Sequence, residues 1–141
     1  MARHNVFVDH LQQVTLFAAC SRKDLQTLSH RSEDRWVPAG TTIVKEGDDG
    51  NEFFVILDGT AQVSRQGRKI ATLGPGNGFG ELALLESARR NATVVADTDM
   101  ELVVLGEHEF EGLLDEAPGF ARKMLAATAH RLHEADARAI E

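Results

Sequence analysis

Between residues 33 and 106 the chain is a succession of short apolar runs, each stopped by a turn signal. Trp36-Val37 stops at Pro38-Ala39-Gly40, and Thr41 to Val44 stops at Gly47-Asp48-Asp49-Gly50. Phe53 to Leu57 stops at Asp58-Gly59, a dipeptide that signals a hairpin. Thr60 to Ser64 runs into Arg65-Gln66-Gly67-Arg68, and Lys69 to Leu73 into Gly74-Pro75-Gly76-Asn77-Gly78. Ala92 to Ala96 and Met100 to Leu105 close the series. Runs of this length predict strands, and their near-regular spacing predicts a sandwich, barrel or roll.

Helical patterns flank this block. Val6, Phe7, Leu11 and Val14 recur at spacings of three and four, and Leu16-Phe17 anchor a turn. Ser21 suits an N-cap with Asp24 three residues on, and Leu25 and Leu28 supply the apolar stripe that follows. After residue 106, Phe110, Leu113 and Leu114 mark one helix that ends near Pro118. A longer helix is predicted from Phe120 through Met124, Leu125, Ala129 and Leu132. Its tail, 134–141, has high helix propensity but few large apolar residues.

Composition narrows the function. A chain of 141 residues fits one domain, and 43% hydrophobic residues suffice for a globular core. The formal net charge of −7 argues against a surface that grips nucleic acid by its phosphates. A single anion can still be held by one buried arginine. The lone Cys20 has neither a disulfide partner nor metal-ligand spacing. No apolar run reaches the ~18 residues of a membrane span, and the start lacks a signal-peptide core. A cytoplasmic location is therefore expected, with no membrane partner within this chain.

Catalytic sets are not evident. The six histidines, His4, His10, His30, His108, His130 and His133, all lie outside the predicted strands, where a metal-dependent barrel enzyme would carry its ligands. His130 and His133 are spaced to share a helix face, but no third ligand accompanies them. Asp48 and Asp49 lack the alternating oxygen ligands of a calcium loop. No serine with His and Asp support is visible, and Cys20 has no identifiable base.

The most informative stretch runs from Phe79 to Val94, where a helix-forming segment, Gly80-Glu81-Leu82-Ala83-Leu84-Leu85, interrupts the strands. A Gly turn opening a short helix presents free backbone N–H groups to an anion. Gly80 and the small Ala83 let a ligand approach the backbone. Arg90, ten residues after Gly80, can return to the same anion with a charge-assisted contact. Glu81 at the helix start is placed to accept from sugar hydroxyls, although a carboxylate there would also suit the helix dipole alone.

This stretch resembles the phosphate-binding cassette of cyclic-nucleotide-binding domains, whose pattern is F-G-E-L-A-L, a variable spacer, then P-R-A-A-T-V. The likeness is close over Phe79 to Leu84 and again over Arg90 to Val94. Pro38-Ala39-Gly40-Thr41, Glu46-Gly47-Asp48, Phe53 to Gly59 and Leu73 to Gly76 also look like family features, so that the resemblance covers residues 5 to 135. It implies one domain over 1–141: N-terminal helices at 5–32, a β-roll at 33–106 with its cassette at 79–94, and C-terminal helices at 107–141. The fold class expected is mainly β with flanking helices (α+β), an antiparallel β-roll or jelly roll with a short cassette helix and C-terminal hinge and lid helices.

The resemblance also implies roles. Glu81 would accept from the ribose 2′-OH, and Gly80, Leu82 and Ala83 would offer backbone groups to the ribose and cyclic phosphate. Arg90 would pair with a phosphate oxygen, leaving Arg89 in solvent. Val63 and Ala71 would line the roll beside the base, and Arg131, with Leu132 and Ala135, would lie on the lid helix. Two positions depart from the pattern. Arg89 replaces the usual Pro, and Asn91 follows the key arginine, where a side chain that both donates and accepts can touch a purine edge.

The expected function is a non-enzymatic sensor of cAMP, with cGMP the second choice. The cyclic nucleotide is the ligand, no cofactor is required, and the effector protein or domain is unknown. The alternatives are an interaction module of the same fold that binds no nucleotide, and a small cupin-type enzyme, which the strand histidines' absence disfavours.

Overall fold

The computed structural model describes residues 2–13, 17–80, 88–116, 119–123 and 125–126. Helices α1 (Ala2–Gln13) and α2 (Arg22–His30) come first. Ten strands follow: β1 (Glu33–Val37), β2 (Thr42–Val44), β3 (Asp49–Gly50), β4 (Glu52–Asp58), β5 (Ala61–Arg65), β6 (Arg68–Leu73), β7 (Gly78–Phe79), β8 (Ala88–Arg89), β9 (Thr93–Ala96) and β10 (Met100–Gly106). Helix α3 (Glu107–Glu116) and helical residues at 119–123 and 125–126 complete the described chain. This is the expected α+β roll with helices at both ends.

The strands form two four-stranded antiparallel sheets, ordered β1-β10-β4-β7 and β2-β9-β5-β6, with β3 and β8 as a separate pair. Alternation along β4 and β10 builds two cores. Phe54, Ile56, Leu102 and Val104 point between the sheets, where they meet Phe79 of the same sheet and Ala61, Val94 and Ala96 of the other. Phe53, Val55, Val103 and Leu105 point out of the roll onto Phe7, Leu11, Leu25, Leu28, Phe110 and Leu113 of the helices. Both faces of β4 and β10 are thus covered, which is why their sequences read as continuous apolar runs. A fully buried Leu or Phe contributes ~1.5–3 kcal/mol.

Helix α2 is closed at its start by local chemistry. The Asp24 N–H donates to Ser21 Oγ (3.1 Å), and the Ser21 N–H donates back to Asp24 Oδ2 (3.3 Å). This is the predicted capping box. Lys123, from the helical segment at 119–123, donates to the same Asp24 oxygen at 3.0 Å and so ties that segment to α2.

One turn differs from expectation. Asp58-Gly59 is not a hairpin: β4 pairs with β10 and β7, whereas β5 pairs with β6 and β9. The turn carries the chain from one sheet to the other, alongside residues 97–99, which make the same crossing between β9 and β10. The Thr60 N–H donates to Thr98 Oγ1 (3.0 Å), and the Asp97 N–H to the Thr60 carbonyl (2.9 Å). The true hairpin is β5–β6, where Gln66 (φ 54°) and Gly67 (φ 79°) both adopt the left-handed backbone of a tight two-residue turn. The two-residue strands β3, β7 and β8 were not legible as strands. Among the described residues, no helix is long and apolar enough to cross a membrane.

Candidate ligand-binding site

The end of the roll opposite these crossings carries the candidate site. Strand β8 zips onto β3, with Asp49 opposite Arg89 and Gly50 opposite Ala88. The ladder is extended by two further bonds. The Arg90 N–H donates to the Asp48 carbonyl (2.8 Å), and the Gly47 N–H donates to the Arg90 carbonyl (2.9 Å). Alternation then settles which arginine faces in: Arg89 is exposed, and Arg90 is half-buried.

The Arg90 guanidinium lies in a slot made by two glycines. A Cβ added to Gly80 would stand 2.7 Å from Arg90 Nη1 and 2.8 Å from the Glu52 carbonyl oxygen. A Cβ on Gly50 would overlap the same guanidinium. Gly80 also has φ 84°, a left-handed conformation that suits glycine. Below the slot, Arg90 Nη2 donates to the Glu52 main-chain carbonyl (2.9 Å), and its Cζ lies 5.9 Å from the Phe54 ring centroid. Phe54 is held by stacking on Phe79 at 4.9 Å.

Among the described residues, Arg90 forms no ion pair. Burial pushes its pKa down, and the charge of Glu52 opposes that shift. A desolvated guanidinium with donors to spare favours a bidentate anion. The Glu52 carboxylate is engaged elsewhere: Arg35 Nη1 and Nη2 donate to its two oxygens at 3.4 and 3.1 Å.

A cavity of about 300 Å³ opens beside Arg90, with Thr42, Val44, Gly50, Glu52 and Phe54 in its wall. Its size is at the lower end of small-ligand pockets. Of the expected site residues that are described, only Arg90 lines it. Val63 and Ala71 are direct cross-strand partners and share one face of the second sheet. Val63 packs against the inner core, and Ala71 is exposed. Asn91 has an exposed side chain, and its carbonyl accepts from Arg65 Nε at 2.9 Å. Glu81, Leu82, Ala83 and Arg131 lie outside the described residues, as do the cassette helix and most of the lid helix.

Sequence reasoning missed Gly50, Glu52 and Phe54. Gly50 reads as one more turn glycine, and Phe54 as one more core residue. Their relation to Arg90 spans about forty residues of chain and exists only once β3 and β8 pair. Among the described residues, no cluster of His, Cys, Asp and Glu could hold a metal ion.

Residues 34–117 match the model of the cyclic nucleotide-binding domain. The chain belongs to that family. The matched segment runs from β1 through α3 and includes the Gly80–Arg90 slot. The family is one of regulatory, non-catalytic domains.

Similar curated proteins include a cAMP-dependent protein kinase regulatory subunit from Hypocrea atroviridis. It is 30% identical over 86% of this chain and 26% of its own length. The cyclic AMP receptor protein of Thermus thermophilus is 32% identical over 86% of this chain and 58% of its own. The domain thus spans only part of these relatives. Among solved structures, the N-terminal domain of a transcriptional regulator from Streptomyces coelicolor superposes with a TM-score of 0.85. It is 30% identical and covers 90% of this chain and 94% of that one. The regulatory domain of Toxoplasma gondii PKA, crystallised with cAMP, has a TM-score of 0.74 at 32% identity, covering 82% of this chain and 46% of that one.

Proposed function

We propose that this domain binds a cyclic nucleotide, cAMP in preference to cGMP, and passes the binding event to its C-terminal helices. The observation that carries the reading is Arg90: a half-buried guanidinium, free of any described carboxylate, in a slot between Gly50 and Gly80. A cyclic phosphate would complete its charge. Gly80, Leu82 and Ala83 would contribute backbone donors, Glu81 would accept from the ribose, and Val63 and Ala71 would flank the base. Asn91 and Arg131 would bear on base selectivity and closure. The relatives named for cAMP support this nucleotide over cGMP.

Signalling requires that the ligand prefer one arrangement of the C-terminal helices, since it shifts an equilibrium only by its differential affinity. The proposed route starts at the cassette and reaches α3, which packs on β10 through Phe110 and Leu113. The effector would be a protein or another domain.

The test is Arg90→Ala. Losing a charge-assisted contact should cost ~1.5–3 kcal/mol, roughly tenfold to more than a hundredfold in cAMP affinity. Glu81→Ala should weaken binding and abolish discrimination against a 2′-deoxy analogue. Full-strength binding by the Arg90 variant rejects the assignment.

A further inference from the structure

We propose that Arg35 is a positioning residue that keeps the Glu52 carboxylate off Arg90, so that Arg90 remains open to an anionic ligand. The proposal rests on the phosphate role given to Arg90.

Glu52 presents two acceptors to two arginines. Its main-chain carbonyl takes Arg90 Nη2 at 2.9 Å. Its side-chain oxygens take Arg35 Nη1 at 3.4 Å and Nη2 at 3.1 Å. Both guanidiniums lie 5.9 Å from the centroid of the Phe54 ring. The Glu52 carboxylate is therefore near two cations grouped around one phenyl ring. It is close enough for its charge to act on Arg90, yet its hydrogen bonds go to Arg35. Glu33 also accepts from Arg35 Nη2 (2.7 Å) and steadies it from the same strand.

The consequence is competition. A carboxylate and a phosphate are rival partners for a guanidinium. Without Arg35, the Glu52 side chain has an unpaired charge beside Arg90, and rotating onto it would fill the donors a ligand needs. The Arg35 and Glu52 side chains are 37% and 34% exposed, so the pair itself adds little to stability. Its effect is on which acceptor Arg90 meets.

The experiment is a double-mutant cycle on the intact chain, read by calorimetric titration with cAMP. Arg35→Met should weaken binding about tenfold when Glu52 is present, and less than about twofold when both proteins carry Glu52→Gln. Arg35→Lys, which keeps a cation against Glu52, should recover most of the loss. Equal factors in the two backgrounds would mean a general charge effect and would overturn the proposal. A second readout needs no nucleotide. In ligand-free protein, Arg35→Met should shift the Arg90 Nε–H resonance in side-chain nitrogen spectra, and adding Glu52→Gln should reverse that shift. An unmoved resonance rejects the competition even if cAMP binds, whereas a moved one supports it even if the wild type binds no cAMP.

Discussion

Gly80 and Arg90 are fitted to each other: a Cβ on Gly80 would lie 2.7 Å from Arg90 Nη1. Gly50 closes the other side of the same guanidinium. The two glycines, one ending β3 and one just after β7, are thirty residues apart, and both leave out a side chain where the arginine lies.

Gly50→Ala tests the slot without touching the arginine. Unlike Gly80, Gly50 is not among the glycines with positive φ, so alanine meets no backbone penalty there. The collision is with the flexible Arg90 side chain, which must swing away. Stability should change by less than about 1 kcal/mol. Affinity for cAMP should fall about tenfold or more, equivalent to ~1.4 kcal/mol. Unchanged affinity would mean that Arg90 need not occupy its observed position.

Gly59→Ala should act oppositely, on stability. Gly59 has φ 93°, and its added Cβ would meet Met100 Cγ at 2.8 Å and Thr98 Oγ1 at 2.9 Å. Met100 is fully buried and cannot retreat into solvent. Strain of this kind costs about 1–3 kcal/mol, which a lowered thermal midpoint would report. A variant as stable as the wild type would contradict the packing at the sheet crossing.

Asp24 makes stability pH-dependent. Burial works against its ionisation, but hydrogen bonds from Lys123 and Ser21 outweigh that and hold its pKa below the ordinary 3.8. A depressed folded value stabilises fully above the unfolded pKa and is lost as pH falls through the folded one. The stability gap between the wild type and Asp24→Asn should therefore be wide at neutral pH and narrow below pH 3.8. Urea unfolding across that range measures it, and a constant gap would exclude the linkage.

Cys20 should be inert in the folded protein. It is 4% exposed, and burial, with the nearby Asp24 charge, raises its pKa to about 11 against the opposing effect of Lys123. A chromogenic disulfide reagent at pH 8 should react with it only after denaturant is added. Rapid reaction of native protein would show that the helical layer over Cys20 opens readily.

What the sequence disclosed was local. The Ser21–Asp24 capping box needs only four residues, and the apolar run Met100 to Leu105 marks β10 without showing which side chains enter which core. Arg90 was singled out over Arg89 by its spacing to Ala92-Thr93-Val94; in the structure Arg90 is half-buried and Arg89 exposed. The failures are non-local. Asp58-Gly59 announces a change of direction but not which strand receives the chain, and here the receiving strand lies in the other sheet. Strands β3, β7 and β8 are too short to show a period. The slot glycine Gly50 and the divided role of Glu52 depend on residues far along the chain, so neither has a signature in its own neighbourhood.

Arg90 is proposed to receive the phosphate of a cyclic nucleotide. Calorimetric titration of the purified chain with cAMP, and separately with cGMP, tests it most directly. Micromolar or tighter binding (~8 kcal/mol or more) is expected, with cAMP ahead of cGMP. No heat with either, on folded protein shown to be free of co-purified nucleotide, would contradict it.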